Sequence, residues 1–163
     1  MIKHKIAYLC ILALLAGLLV LAGAGVLQSA SPPKATGGIG FTRNNDQGDR
    51  IRCWAEFEAK ATSDTSAKGW LKYHDVDGLR FRVDVRCVTV FSDKDLALFS
   101  GPIVFATDTT WMGQWLLLAV RDGGTPGVKG DTIWGEFYRY DPGCQNFPPG
   151  EATPVESGNL VVH

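Results

Sequence analysis

Hydrophobic and polar residues alternate with a period of two over most of this chain, behind a long apolar block. At 50–60, Ile51, Cys53, Ala55 and Phe57 fall on one side and Arg52, Trp54, Glu56 and Glu58 on the other, the pattern of a half-buried strand. Residues 69–75 repeat it, with Leu71 and Tyr73 set against Trp70, Lys72 and His74. Asp77-Gly78 is a two-residue hairpin signal, because both positions tolerate positive φ. The stretch 79–91 is the longest clean alternation, and Asp93-Lys94-Asp95 turns it. In 96–107 the pair Gly101-Pro102 interrupts the pattern, where a bulge or an edge position is expected. Residues 111–120 are apolar on both faces in their second half and should lie centrally. Strands over 132–140 and 158–163 complete the series, separated by a Pro/Gly/Cys loop at 141–154. No helical period survives beyond the leader. Short strands joined by short turns predict an all-β domain over 50–163, an antiparallel meander closing as a small barrel or a sandwich.

The apolar block has its own reading. Lys3, His4 and Lys5 form a basic start, no charged residue comes after them until Lys34, and the run from Ile6 to Leu27 is rich in Leu, Ala and Gly. Residues 1–30 therefore read as a signal peptide, with Ala22-Gly23-Ala24 as the cleavage candidate, or as a transmembrane anchor helix, which needs about 20 apolar residues. Both readings export the rest of the chain to a secreted or otherwise extracytoplasmic location, and membrane contact is confined to this segment. The Pro/Gly/Ser-rich stretch and the polar residues after it, 31–49, read as a linker and a loop.

Charge changes the picture by exclusion. The chain has 16 Lys and Arg against 17 Asp and Glu, a net charge of −1, and loss of Lys3 and Lys5 with a leader would make it more acidic. Nucleic acid is not an expected partner, since its binding rests on clustered positive charge. Arg80, Arg82 and Arg86 do share one strand face with Asp84; that row is either a solvated face or an anion-binding patch. With Cys10 in the leader, Cys53, Cys87 and Cys144 are the disulfide candidates. An odd count in an exported chain implies one bridge and a free or intermolecular thiol, and the connectivity stays open.

The most specific stretch is 121–132. Asp122-Gly123-Gly124 leaves a strand, Pro126 fixes the loop, Gly127 and Gly130 allow a second reversal, and Asp131-Thr132 can bond nearby N–H groups as the next strand starts. This Asp-Gly-Gly-Thr-Pro-Gly-x-x-Gly-Asp-Thr run resembles the "D-N-G-E-P-G…D-T-F" turn of the post-COAP-type domain, a small exported bacterial β-domain. Gly69-Trp-Leu-Lys-Tyr-His-Asp75, Val85-Arg-Cys-Val-Thr-Val90 and Ser157-Gly-Asn-Leu-Val-Val-His163 resemble that family's other strands in the same order. The likeness covers roughly 50–163 and departs at Thr125, Ile133 and the Cys144–Pro154 loop. It implies an exported β-domain with no established activity and no catalytic residues to carry over.

Chemistry-bearing patterns are sparse. The spacing Gly124–Gly130 is wrong for a phosphate loop and leads into a strand. His74 and His163 are the imidazoles beyond the leader, there is no HExxH or CxxC pattern, and Glu56, Glu58 and Glu136 lie on outward strand faces. No cofactor, metal or catalytic residue is assigned. Asp122 and Asp131 flank a carbonyl-rich loop, so they either cap the turn or ligate calcium. Trp54 and Trp70 sit on polar faces and mark a glycan or protein contact surface, or are covered by other chain segments. The expected function is a non-enzymatic structural or interaction module with an unidentified extracellular or cell-surface partner. The alternative is a binding module for a small apolar ligand, a glycan or calcium, with an internal cavity if the meander closes.

Overall fold

Period-two alternation produces strands nearly everywhere from residue 34 onward. The computed structural model describes residues 31–163 apart from 46, 64–65, 92–94, 125–127, 147 and 149. The expectations for the leader 1–30 with Cys10, for Asp93-Lys94 and for Thr125, Pro126 and Gly127 lie outside the described residues. The strands are β1 Lys34–Asn44, β2 Arg50–Ser63, β3 Ser66–Asp75, β4 Arg80–Asp84, β5 Cys87–Phe91, β6 Leu96–Ala106, β7 Trp115–Arg121, β8 Thr132–Tyr138 and β9 Thr153–Val162, with a short 3-10 turn at Thr109–Trp111. They form one antiparallel sheet in the order β4-β3-β2-β1-β9-β8-β7-β6-β5, and a further β4–β6 pairing closes eight of them into a ring.

The first strand corrects the linker reading of 31–49. Residues 34–44 pair along their whole length with β2, and 35–41 pair with β9 on the other side. Ala35, Ile39 and Phe41 point inward and are buried. Burying Ile39 and Phe41 contributes about 1.5–3 kcal/mol each. The glycines that suggested a linker are sites of close approach. The ring of Phe57 fills the space a side chain at Gly37 would need, and Ser157 Oγ and the indole of Trp54 crowd Gly40. The expected domain start at residue 50 therefore moves back to β1.

Other boundaries shift for local reasons. The long strand expected at 79–91 is bent into β4 and β5, which run along the same edge of β6. The break falls at Val85 and Arg86, whose N–H groups bond the carbonyls of Gly69 and Ser100. A register shift opposite Ile103 and Phe105, beside Gly101-Pro102, supplies the irregularity expected there. The hairpin at Asp77-Gly78 forms, with Gly78 at φ 91°, but Val76 and Leu79 lengthen it because the Asp75 carboxylate accepts the N–H groups of Asp77 and Leu79. β7 begins at Trp115 rather than 111, after the turn that Asp108 caps through Thr110 N–H at 2.9 Å. β9 begins at Thr153 rather than 158.

The two apolar faces of β7 have separate partners. Leu116, Leu118 and Val120 join the main core with Phe57, Leu71, Val83, Phe99 and Ile103. Leu117 and Ala119 pack with Leu98 and Cys144 in a second cluster. The loop after β8 covers that side, tied by a Cys87–Cys144 disulfide and by Trp134 Nε1–H donating to Pro148 O at 3.3 Å. Cys53 is the buried free thiol. The bridge is compatible with an extracytoplasmic location. Among the described residues no helix is long and apolar enough to cross a membrane, which says nothing of spanning by strands.

Candidate functional site

The ring is least complete where β9 passes from one neighbour to the other. β9 pairs with β1 up to Phe41↔Val155, then with β8 at Thr132↔Pro154 and Ile133↔Thr153. Between Gly40 and Phe41 the β1–β9 register slips, with Glu156 as the unmatched residue on β9. Such a bulge bends its strand. Beyond it, 42–44 of β1 and 134–138 of β8 have no strand pairing toward each other. This wedge is the mouth of a cavity of about 590 Å³ inside the ring, a volume within the usual range for a small-molecule site.

The interior wall is apolar and largely aromatic. Phe41, Ala55, Leu71, Phe81, Leu116, Leu118 and Ile133 line it and are buried. Tyr73 stacks on Phe81 with centroids 4.6 Å apart, Phe81 meets Phe137 edge-on at 5.9 Å, and Phe137 meets Trp111 edge-on at 4.4 Å. The four rings form one continuous surface. Arg43, Asn45, Gln47 and Glu151 add polar groups to the lining.

A polar cluster is built into the wall on the Arg43 side. Arg43 Nε donates to Tyr73 Oη at 3.1 Å, and one Arg43 Nη donates to Asp75 Oδ2 at 3.3 Å. The Tyr73 hydroxyl lies 3.1 Å from Asp75 Oδ2 and 3.0 Å from Cys53 Sγ. One hydroxyl proton serves one of these at a time, and the carboxylate is the stronger acceptor. Cys53 S–H has an acceptor of its own, the Ile51 carbonyl at 3.4 Å. The Asp75 side chain is 1% exposed; with its hairpin N–H donors, Arg43 and Tyr73 it is fully partnered. Burial, and then the Cys53 contact, push the Tyr73 hydroxyl well above the ordinary tyrosine range, with Arg43 opposing. Burial works against the charged form of Arg43, but its bonds to Tyr73 and Asp75 outweigh that and raise it. A guanidinium has five N–H donors, so Arg43 keeps donors to spare. The arrangement can hold an apolar body and offer hydrogen bonds at one end.

Residues singled out by sequence fall elsewhere. Trp54 and Trp70 face out of the ring, as their positions imply, but both are only half-exposed and engaged. Trp54 stacks on His74 at 4.9 Å beside Arg52 at 5.3 Å, and Lys72 Nζ lies 5.0 Å over Trp70. Arg82 and Arg86 share Asp84 at 3.5 and 3.9 Å, and Arg80 stands on the same face. Asp122 and Asp131 act as turn caps: Asp122 Oδ1 accepts Gly124 N–H and Asp131 Oδ1 accepts Gly123 N–H, both at 2.8 Å, while Asp122 Oδ2 accepts Val162 N–H at 3.3 Å. Asp131 Oδ2 is buried without a partner among the described residues. Among the described residues no group of three or more His, Cys, Asp or Glu is placed to hold a metal ion. Arg43, Asp75, Trp111 and Phe137 were not singled out by the sequence pattern. The available signal was the even spacing Ala35-Gly37-Ile39-Phe41-Arg43, which carries β1 to the cluster. No family model, curated protein or solved structure matches this chain.

Proposed function

We propose that this chain is an extracytoplasmic, non-enzymatic binding module that holds one small, mainly apolar ligand inside its ring, which we read as a small barrel. The cavity of about 590 Å³ carries this reading: its wall is aromatic and aliphatic, and spare donors of Arg43 can meet an acceptor on the ligand. Glu151 at the lining disfavours a strongly anionic ligand. A free-standing structural role gives no reason for leaving such a volume unfilled, since interiors otherwise pack to crystal-like density. Calcium is not part of the proposal, because Asp122 and Asp131 already serve the turn. Kinship with the post-COAP-type domain belongs to the proposal too; the quoted motifs keep their order along β3, β5, the β7–β8 turn and β9.

The test uses the purified full chain and N-phenyl-1-naphthylamine, a neutral apolar fluorophore. Saturable enhancement at one probe per chain is expected, with native mass spectrometry reporting any co-purified ligand that denaturation releases. Leu118→Trp and, separately, Ile133→Trp should fill the cavity and abolish the enhancement while the thermal transition stays cooperative. Undiminished enhancement in both folded variants would overturn the reading.

A further inference from the structure

The polar face of β2, β3 and β4 is turned away from the cavity, and its register sets cations against cations. Lys72 stands directly opposite Arg82 and Lys60 opposite Lys68, while Arg80 faces His74. Like charges directly opposite one another weaken a sheet, so folding supplies no reason for this pattern. The carboxylates on the face neutralise it only in part: Glu56 stands opposite Lys72 across β2 and β3, and no carboxylate stands opposite Arg80. Glu58 is taken by Lys34 at 3.3 Å, and Asp84 is shared between Arg82 and Arg86. Arg80 has no ion pair among the described residues. The chain as a whole is slightly acidic at −1, so the positive charge is concentrated here. A groove of about 480 Å³ runs among Lys72, His74, Arg80, Arg82 and Phe105, and Phe105 is 54% exposed.

We infer that this face binds an acidic polysaccharide, with Lys72, Arg80 and Arg82 holding its carboxylate or sulfate groups and Phe105 meeting the C–H face of a sugar ring. Neighbouring positions on a sheet face are about 5–7 Å apart, a spacing that suits a polymer carrying one charge per sugar. Nucleic acid fits less well, because successive bases of a single strand need several free aromatic faces and Phe105 supplies one. Trp54 is engaged by His74 and Arg52, and Trp70 by Lys72. A bilayer fits less well too. It takes up a broad apolar surface, and on this side only Val104 and Phe105 project among the large exposed hydrophobics.

The experiment is calorimetric titration of the full chain with polygalacturonate, with dextran, single-stranded DNA and phosphatidylglycerol vesicles as competitors. Binding to polygalacturonate is expected, weakening at least about tenfold between about 50 and 200 mM salt. Arg80→Glu with Lys72→Gln should lower affinity at least about tenfold. The same pair removes the opposed Lys72–Arg82 contact together with the Lys72–Glu56 contact, so the thermal midpoint should stay near that of wild type while affinity falls, which a purely structural role would not produce. Should that variant fail to fold, Phe105→Ala decides, because an exposed side chain can be removed without loss of the fold. Absent binding, equal binding of dextran, tighter binding of DNA or vesicles, or affinity within about twofold in the folded variants would each overturn the inference.

Discussion

Removing the Cys87–Cys144 bridge should cost this domain as much as a large core truncation on the β7 side, where a buried Leu→Ala costs about 2–5 kcal/mol. The two cysteines are 57 residues apart in sequence, and the chain-entropy relation for a loop of that length gives about 4 kcal/mol at 25 °C. A second contribution is local. Ser100 is fully buried, and its hydroxyl lies 3.0 Å from Cys87 Sγ and 3.6 Å from Cys144 Sγ. With the sulfurs in a bridge, that hydroxyl is the donor. Replacing both cysteines by alanine orphans it, adding about 1 kcal/mol or more. Cys87→Ser with Cys144→Ala keeps a partner for Ser100 and isolates the cross-link. Urea unfolding of the full chain should place the Ser/Ala variant about 4 kcal/mol below wild type and the Ala/Ala variant about 5 kcal/mol below. These losses correspond to roughly 10–20 °C in Tm for a domain of this size. The freed loop after β8 should also uncover Leu98, Leu117 and Ala119, seen as dye binding before global unfolding. A loss below about 1 kcal/mol in both variants, or a peptide map placing Cys53 in the bridge, would refute the reasoning.

Two further outcomes test the cluster beside the cavity. Asp75→Ala leaves two hairpin N–H groups and Arg43 without their acceptor and should cost about 3 kcal/mol by chemical denaturation, discounted for the partial exposure of Arg43; Asp75→Asn, which keeps an acceptor for the N–H groups, should cost less. Tyr73 should stay protonated in the folded protein well past pH 10, giving a late phase in tyrosinate absorbance that is absent in Tyr73→Phe. Because the unfolded chain releases this proton first, the contribution is complete below about pH 10 and is lost as pH rises toward the folded value; stability that increases between pH 10 and 12 would contradict the burial argument.

What could be read from the chain was what depends on one strand at a time. The inward set Ile51, Cys53, Ala55 and Phe57, the outward tryptophans, the central position of 116–120 and the hairpin at Gly78 each come from local alternation or a local turn. Features that depend on a neighbouring strand were hidden. β1 reads as a linker because its glycines make sense only once Phe57 and Trp54 lie across them. Arg43 reads as loop because its partners Tyr73 and Asp75 are 30 and 32 residues away. Which cysteines pair was equally closed to inspection, since both Cys53 and Cys87 alternate with apolar residues and only the bend between β4 and β5 brings Cys87 beneath the later loop.

The cavity shows most clearly why pairing decides the shape of the interior here. Every strand that borders it has an ordinary apolar inner face, and nothing in those faces requires a void. The volume arises from one unmatched residue, Glu156, at which β9 slips against β1 before pairing with β8 at Thr132 and Ile133. Without the slip, β9 would continue beside 42–44 of β1, and the wedge at the cavity would be a paired ladder. Glu156 itself is held by Arg50 at 3.8 Å, an exposed pair too weak to impose the bend. The bend is imposed by the alternation itself: Val155 and Leu160 are both buried, yet five positions apart, and an odd separation can place two residues on one face only if the strand carries an extra residue between them. The opening of the site is thus written in a parity mismatch between two hydrophobic residues of the last strand, a signal that alternation contains but that acquires meaning only when β1 is recognised as the strand beside it.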